Sequence, residues 1–192
     1  MDRIREHFTE SIQTKIAAAE VLSDDIQTAA QMLTICLLNG NKILTCGHGP
    51  AAALSQLFVS QLVHRYDTER PALPAFSLNA DGVLASGIAA ETGFHDVYAK
   101  QIRALGQRGD ILVLLALTGN DKALLKAAEA ALSRDMTLIA LTGGDGGELA
   151  GLLGPSDVEI RVPAAHDARI LEVNLLCLNC LSDLIDRTLF PQ

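Results

Sequence analysis

Basic residues are scarce in this chain: 15 Lys and Arg stand against 23 Asp and Glu, for a formal charge of −8. Neutralising a phosphate backbone takes clustered cations, so this balance argues against direct nucleic-acid binding. His64-Arg65-Tyr66 and the Arg103 to Arg108 stretch are small basic spots, read as solvated or subunit-contact residues. No apolar run reaches the roughly 18 residues that a membrane-spanning helix needs. Repeats, low-complexity tracts and interdomain linkers are also missing. The opening Met1-Asp2-Arg3-Ile4-Arg5-Glu6-His7 is too polar for a signal peptide, so a cytoplasmic protein is expected. Four cysteines suit a reducing compartment, and Cys36 and Cys46 sit in apolar segments as small core residues. Cys177-Leu178-Asn179-Cys180 is a lone C-x-x-C inside an apolar helix. Without a second pair it is not expected to hold a metal or run redox chemistry.

Apolar bulk is what the chain does have. It is 49% hydrophobic with a mean hydropathy of +0.26, high for a monomer of this size, so a homo-oligomer is expected. A single domain over residues 1–192 is expected. Residues about 3–20 and 24–40 have helical spacing, with Ser23 as a plausible N-cap between two helices used in oligomerisation. Five strands follow: 42–46, 74–78, 111–117, 136–142 and 157–162. Helices alternate with them near 50–66, 82–90, 94–105 and 121–133, and a long closing helix covers about 166–188. That alternation predicts an α/β fold, a doubly wound five-stranded parallel sheet of flavodoxin-like type.

The run Ile111 to Leu117, broken by Thr118-Gly119-Asn120-Asp121 and followed by a helical pattern, reads as a central strand entering a βα loop. Such a loop binds phosphate through backbone N–H groups and the helix dipole. Ala116, Leu117 and Asp121 stand where an anion site favours hydroxyls, and a carboxylate at the helix start repels a second anion. Thr118, the Gly119 N–H, Asn120 and Lys122 remain as vestigial contacts, with Gly47, His48 and Gly49 after the first strand. His48 is either a general base or, more in keeping with lone histidines, a structural or solvated residue.

Leu38-Asn39-Gly40-Asn41-Lys42-Ile43-Leu44, Cys46-Gly47-x-Gly49, Lys100-Gln101-Ile102-Arg103-Ala104-Leu105-Gly106, Ala140-Leu141-Thr142-Gly143-x-Asp145-Gly146-Gly147 and Ile160-Arg161-Val162-Pro163 lie in this order along the chain. Together they resemble the sugar isomerase (SIS) domain of bacterial phosphoheptose isomerases. That resemblance implies the SIS fold. It also implies an active site of His and Glu on the helix after strand one, with Gln and His on the closing helix, binding a metal and moving protons between sugar carbons. The matching positions here are Leu57, Gln61, Leu171 and Asn179. Leucine neither ligates a metal nor carries a proton, and neutral amides are poor substitutes for carboxylate or imidazole. No catalytic residue, metal or cofactor is therefore expected. Gln61 and Asn179 either bind a neutral ligand or satisfy each other.

The ending Cys180-Leu181-x-Asp183-Leu184-Ile185-Asp186-x-x-Leu189-Phe190 is similar to a non-enzymatic branch of that family. Its members are homotetramers that help assemble the replication initiator DnaA at the origin. Leu189 and Phe190, beyond the last expected helical turn, are either folded back or a partner contact, and the contact is favoured. The resemblance thus implies a silent SIS-fold homotetramer binding several DnaA copies. The alternatives are a sedoheptulose 7-phosphate isomerase with a rearranged site, or a sugar-phosphate-binding sensor.

Overall fold

The computed structural model describes residues 2–191. Helix α1 spans Asp2–Leu38, followed by β1 (Ile43–Gly47), α2 (Ala51–Val63), β2 (Ala75–Ser77), α3 (Gly82–Thr92) and α4 (Val97–Leu105). Then come β3 (Ile111–Leu115), α5 (Lys122–Leu132), β4 (Thr137–Gly143), α6 (Gly147–Ala150), β5 (Val158–Val162) and α7 (Asp167–Leu189). A single 3₁₀ turn, Phe94–Asp96, leads into α4.

All strand pairs are parallel, in the order β2-β1-β3-β4-β5. The expected doubly wound five-stranded sheet is therefore the one observed. Its apolar runs are continuous because both faces are covered. Ile111, Val113 and Leu115 point to a core shared with α1, α2 and α7. Leu112, Leu114 and Ala116 point to a second core shared with α4 and α5. Ile139 and Leu141 against Leu138 and Ala140 repeat that alternation on β4.

Two helices were expected where one runs unbroken for 37 residues. Ser23 caps nothing: its Oγ donates to the Ala19 carbonyl at 2.7 Å, inside the helix. No Gly or Pro interrupts the segment, and Ala18, Leu22, Ala29, Ala30 and Leu33 bury a continuous face in the first core. Tertiary packing overrides the local cap signal. Arg169 on α7 clamps the helix pair, donating to the His7 carbonyl and to Glu172 Oε1, both at 2.7 Å.

The opposite edge of the sheet is tied by Asp110. Its carboxylate accepts from the Lys42 and Gln107 backbone N–H groups, Asn41 Nδ2 and Lys42 Nζ. Burial alone raises this carboxyl, yet the hydrogen bonds from Lys42, Gln107 and Asn41 outweigh it and hold the group below the usual carboxylate range.

Candidate functional site

The order in which strands are added reverses at β1: its neighbour on one side comes next in sequence, the one on the other side two strands later, and both run parallel to it. At such a switch point the loops after the two strands part and leave a crevice at the carboxyl edge. A cleft of about 320 Å³ lies there, lined by His48, Gly49 and Pro50 after β1 and by Leu117 to Asp121 after β3. Asp167, at the start of α7, closes its wall. Of the expected vestigial contacts, His48, Gly49, Thr118, Gly119, Asn120 and Asp121 do line the cleft.

Gly47 and Lys122 do not line it. Gly47 is used by the fold: its N–H donates to Asn79 Oδ1 at 3.0 Å, and its carbonyl accepts from Asn79 Nδ2 and the Tyr98 hydroxyl, each at 2.8 Å. A Cβ there would sit 2.6 Å from the Ala51 carbonyl oxygen, so the tight turn into α2 excludes any side chain. Lys122 is exposed on the first turn of α5 and points no charge at the cleft.

Several of the donors that a phosphate would take are already engaged. Asp121 Oδ1 accepts from Ala123 N at 2.9 Å and Leu124 N at 3.1 Å, capping α5. At α2 the N–H groups of Ala51, Ala52 and Ala53 turn back onto the carbonyls of His48, Gly49 and Pro50. Asn120 Oδ1 accepts from Glu148 N at 2.9 Å, and Leu149 N donates to the Gly119 carbonyl at 3.0 Å. These bonds seal the β3 loop onto the β4 loop. Gly119 adopts φ +72°, and a Cβ on it would lie 1.9 Å from the Gly146 carbonyl oxygen. Two carboxylates and no Lys or Arg line the remaining space, which disfavours an anion.

His48 has an acidic neighbour that its sequence surroundings conceal: its Nδ1 lies 3.4 Å from Asp121 Oδ2. Its ring also meets Phe94 edge-on, centroids 5.5 Å apart, and Phe94 meets Tyr98 in the same way at 6.1 Å. Sequence reading missed Asp167 as a crevice residue and Phe94 as the ring against His48, because only the fold brings them to this edge.

The four positions matched to the isomerase chemistry lie outside this cleft. Gln61 and Asn179 meet across α2 and α7: Gln61 Nε2 donates to Asn179 Oδ1 at 2.7 Å. Ser182 Oγ donates to Gln61 Oε1 at 2.8 Å, completing a chain of neutral groups that satisfy one another. Leu57 is 39% exposed on α2, and Leu171 packs against the first core. This donor set does not fit the metal that the family resemblance implies. Among the described residues, no three His, Cys, Asp or Glu side chains are grouped to hold a metal ion. Burial pushes the Cys177 thiol up to about 12 and raises that of Cys180, so the C-x-x-C presents no ready thiolate.

Leu189 is the last residue of α7 rather than lying beyond it, and Phe190 is its C-cap, donating its N–H to the Asp186 carbonyl at 2.8 Å. Both side chains are half-buried against the first core. The Arg70 guanidinium lies 5.8 Å from the centroid of the Phe190 ring. Arg70 is a hub: Nε donates to Asp186 Oδ1 at 2.8 Å, and its terminal nitrogens donate to the carbonyls of Leu62 and Gln61 at 2.7 Å and of Pro71 at 3.1 Å.

A SIS domain model matches residues 7–143. The chain belongs to the SIS domain family. Within it, the chain is 58% identical, over its whole length and 98% of theirs, to the DnaA initiator-associating proteins DiaA of Photorhabdus laumondii and Citrobacter koseri. Among solved structures, a phosphoheptose isomerase from Francisella tularensis superposes with a TM-score of 0.95 at 40% identity, covering 97% of both chains. One from Neisseria gonorrhoeae gives 0.91 at 39% identity, over 96% of this chain and 97% of that one. No helix among the described residues is long and apolar enough to cross a membrane.

Proposed function

We propose that this protein is a catalytically silent SIS-fold homotetramer of the cytoplasm that binds several copies of the initiator DnaA and promotes its assembly at the origin. The observation that carries the reading is the Asn179–Gln61–Ser182 hydrogen-bond chain, with Leu57 and Leu171 on the same two helices, α2 and α7. Proton transfer between sugar carbons needs a titratable group within hydrogen-bond reach, and these positions hold none. Full-length identity to proteins named for DnaA association supports the partner.

Residues 1–40 supply the oligomer contacts in this reading, within a single domain spanning 1–192. Ile4, Phe8, Ile12 and Ile16 recur every fourth residue on α1 and are 56–68% exposed. An apolar stripe of that length suits burial against another copy of the chain. Leu189 and Phe190 form the partner contact. Four identical sites on a rigid core raise avidity by about 10² to 10⁴ when geometry lets them engage together.

Pull-down tests this directly: wild type captures DnaA and the Leu189→Ala/Phe190→Ala variant does not. Equal capture by both removes the contact site, and no capture by wild type removes the partner. Close superposition on two phosphoheptose isomerases favours a second reading, an isomerase with a rearranged site. It requires turnover of sedoheptulose 7-phosphate, with or without added zinc, that Gln61→Ala abolishes. A phosphosugar sensor requires instead that such ligands raise the melting temperature.

A further inference from the structure

A second cleft, about 380 Å³, lies far from the crevice, between the loop after α2 and the end of α7. Tyr66 and Asp67 form one wall; Asp183, Asp186, Arg187 and Phe190 form the other. Its charge is set by how its ions are paired. Arg70 is buried behind it and committed to Asp186 and three backbone carbonyls. Asp186 gives Oδ1 to that contact, while its buried Oδ2 has no hydrogen-bond partner among the described residues. Arg187 pairs with Asp183 in an exposed i, i+4 contact at 2.8 Å, a kind of pair that a competing ion readily displaces. Asp67 is exposed and has no ion-pair partner among the described residues. The C-terminal end of α7 adds the negative pole of its dipole at the same place.

We propose that this cleft seats a basic segment of the protein partner, with a Lys or Arg directed to Asp67 and Asp186 and an adjacent apolar side chain lying on Phe190 and Tyr66. The proposal rests on the reading of Leu189 and Phe190 as a contact site and adds the chemistry of what they meet. Two rings beside under-compensated carboxylates favour a cation with an apolar neighbour, and a guanidinium or ammonium gains from both ring face and charge. Arg70 fills the inner side of Phe190 and leaves the outer side for the partner.

The test measures DnaA affinity for wild type, Asp67→Asn, Asp67→Lys and Phe190→Ala, at low and high salt, with sedimentation of each variant alone. Asp67 is exposed, so its replacement leaves the fold intact. The expected result is weakening of about threefold for Asn and about tenfold or more for Lys, shrinking at high salt. Phe190→Ala weakens binding at both salt concentrations. If Phe190→Ala weakens capture while both Asp67 variants bind as wild type, the contact reading stands and the basic segment is overturned. If the Asp67 variants weaken capture and Phe190→Ala does not, the paired cation and apolar anchor are overturned. If none weakens capture, the contact reading itself fails. If Asp67→Lys changes the oligomeric state but not capture, the cleft belongs to a second copy of this chain and the proposal falls.

Discussion

The crevice at the β1/β3 switch and the cleft at the end of α7 are both built around aspartates at helix ends, with opposite consequences. In the crevice, Asp121 sits at the N-terminus of α5, where its carboxylate meets the positive pole and two free N–H groups. Its charge is absorbed by the helix, and what is lost is the helix's capacity to hold a phosphate. At the far end, Asp183 and Asp186 lie in the last two turns of α7, where the pole is negative and their charge adds to it. One placement caps a helix at the rim of the crevice; the other builds an acidic surface around an aromatic ring. The same residue type, read without its helix end, carries neither meaning.

The largest effect that can break this contrast is removal of Arg70. Its side chain is 2% exposed, so Arg70→Met takes the donor from the Asp186 carboxylate and the Gln61 carbonyl, while the Leu62 carbonyl keeps the Leu73 N–H. Removing one partner of a buried pair costs about 3–5 kcal/mol, read as a shift of the urea midpoint. A loss under about 1 kcal/mol, the scale of an exposed pair, shows that the C-terminal cleft is not organised by this residue.

Next in size is Asp110, outside both regions and therefore a reference for them. Asp110→Asn is expected to cost about 1–3 kcal/mol through the buried donors left poorly matched. The sign of the pH dependence follows from a folded-state carboxyl held below its unfolded value. That stabilisation is fully present above the unfolded value of about 3.9 and is lost as pH falls through the lower folded value. Acid titration of stability should show this loss in wild type and its absence in Asp110→Asn. Identical acid profiles refute the assignment.

The sheet was legible in the sequence because strands buried on both faces write unbroken apolar runs, and Ile111 to Leu115 is one. The family was legible too, in motifs that follow one another in order along the chain. Three features were not. The unbroken α1 hid behind Ser23-Asp24-Asp25, a local cap signature outvoted by long-range packing on the first core. Short α6 lies in a glycine-rich stretch with no periodicity to read. The pairs His48–Asp121 and Arg70–Asp186 join residues far apart in the chain, the latter by 116 positions. Only the strand order and the packing of α7 beside α2 bring them together. Leu189 and Phe190 were expected beyond the end of α7, but the helix runs on to Leu189, and packing on the first core with the Arg70 contact holds both half-buried.

The smallest effect sharpens the comparison most, since it separates a cap from a charge. Asp121→Ala removes both, and loss of the cap costs about 1 kcal/mol. Asp121→Ser keeps a side-chain oxygen able to accept from the N–H groups of α5, so its stability should stay within a few tenths of a kcal/mol of wild type. Serine, however, leaves the helix pole uncompensated and takes one carboxylate from the crevice, where Asp167 remains. Inorganic phosphate at millimolar concentration should then raise the melting temperature of Asp121→Ser more than that of wild type. If phosphate shifts both proteins equally, the carboxylate is not what bars an anion. The bonds from the Glu148 N–H to Asn120 Oδ1 and among the first residues of α2 are then sufficient by themselves.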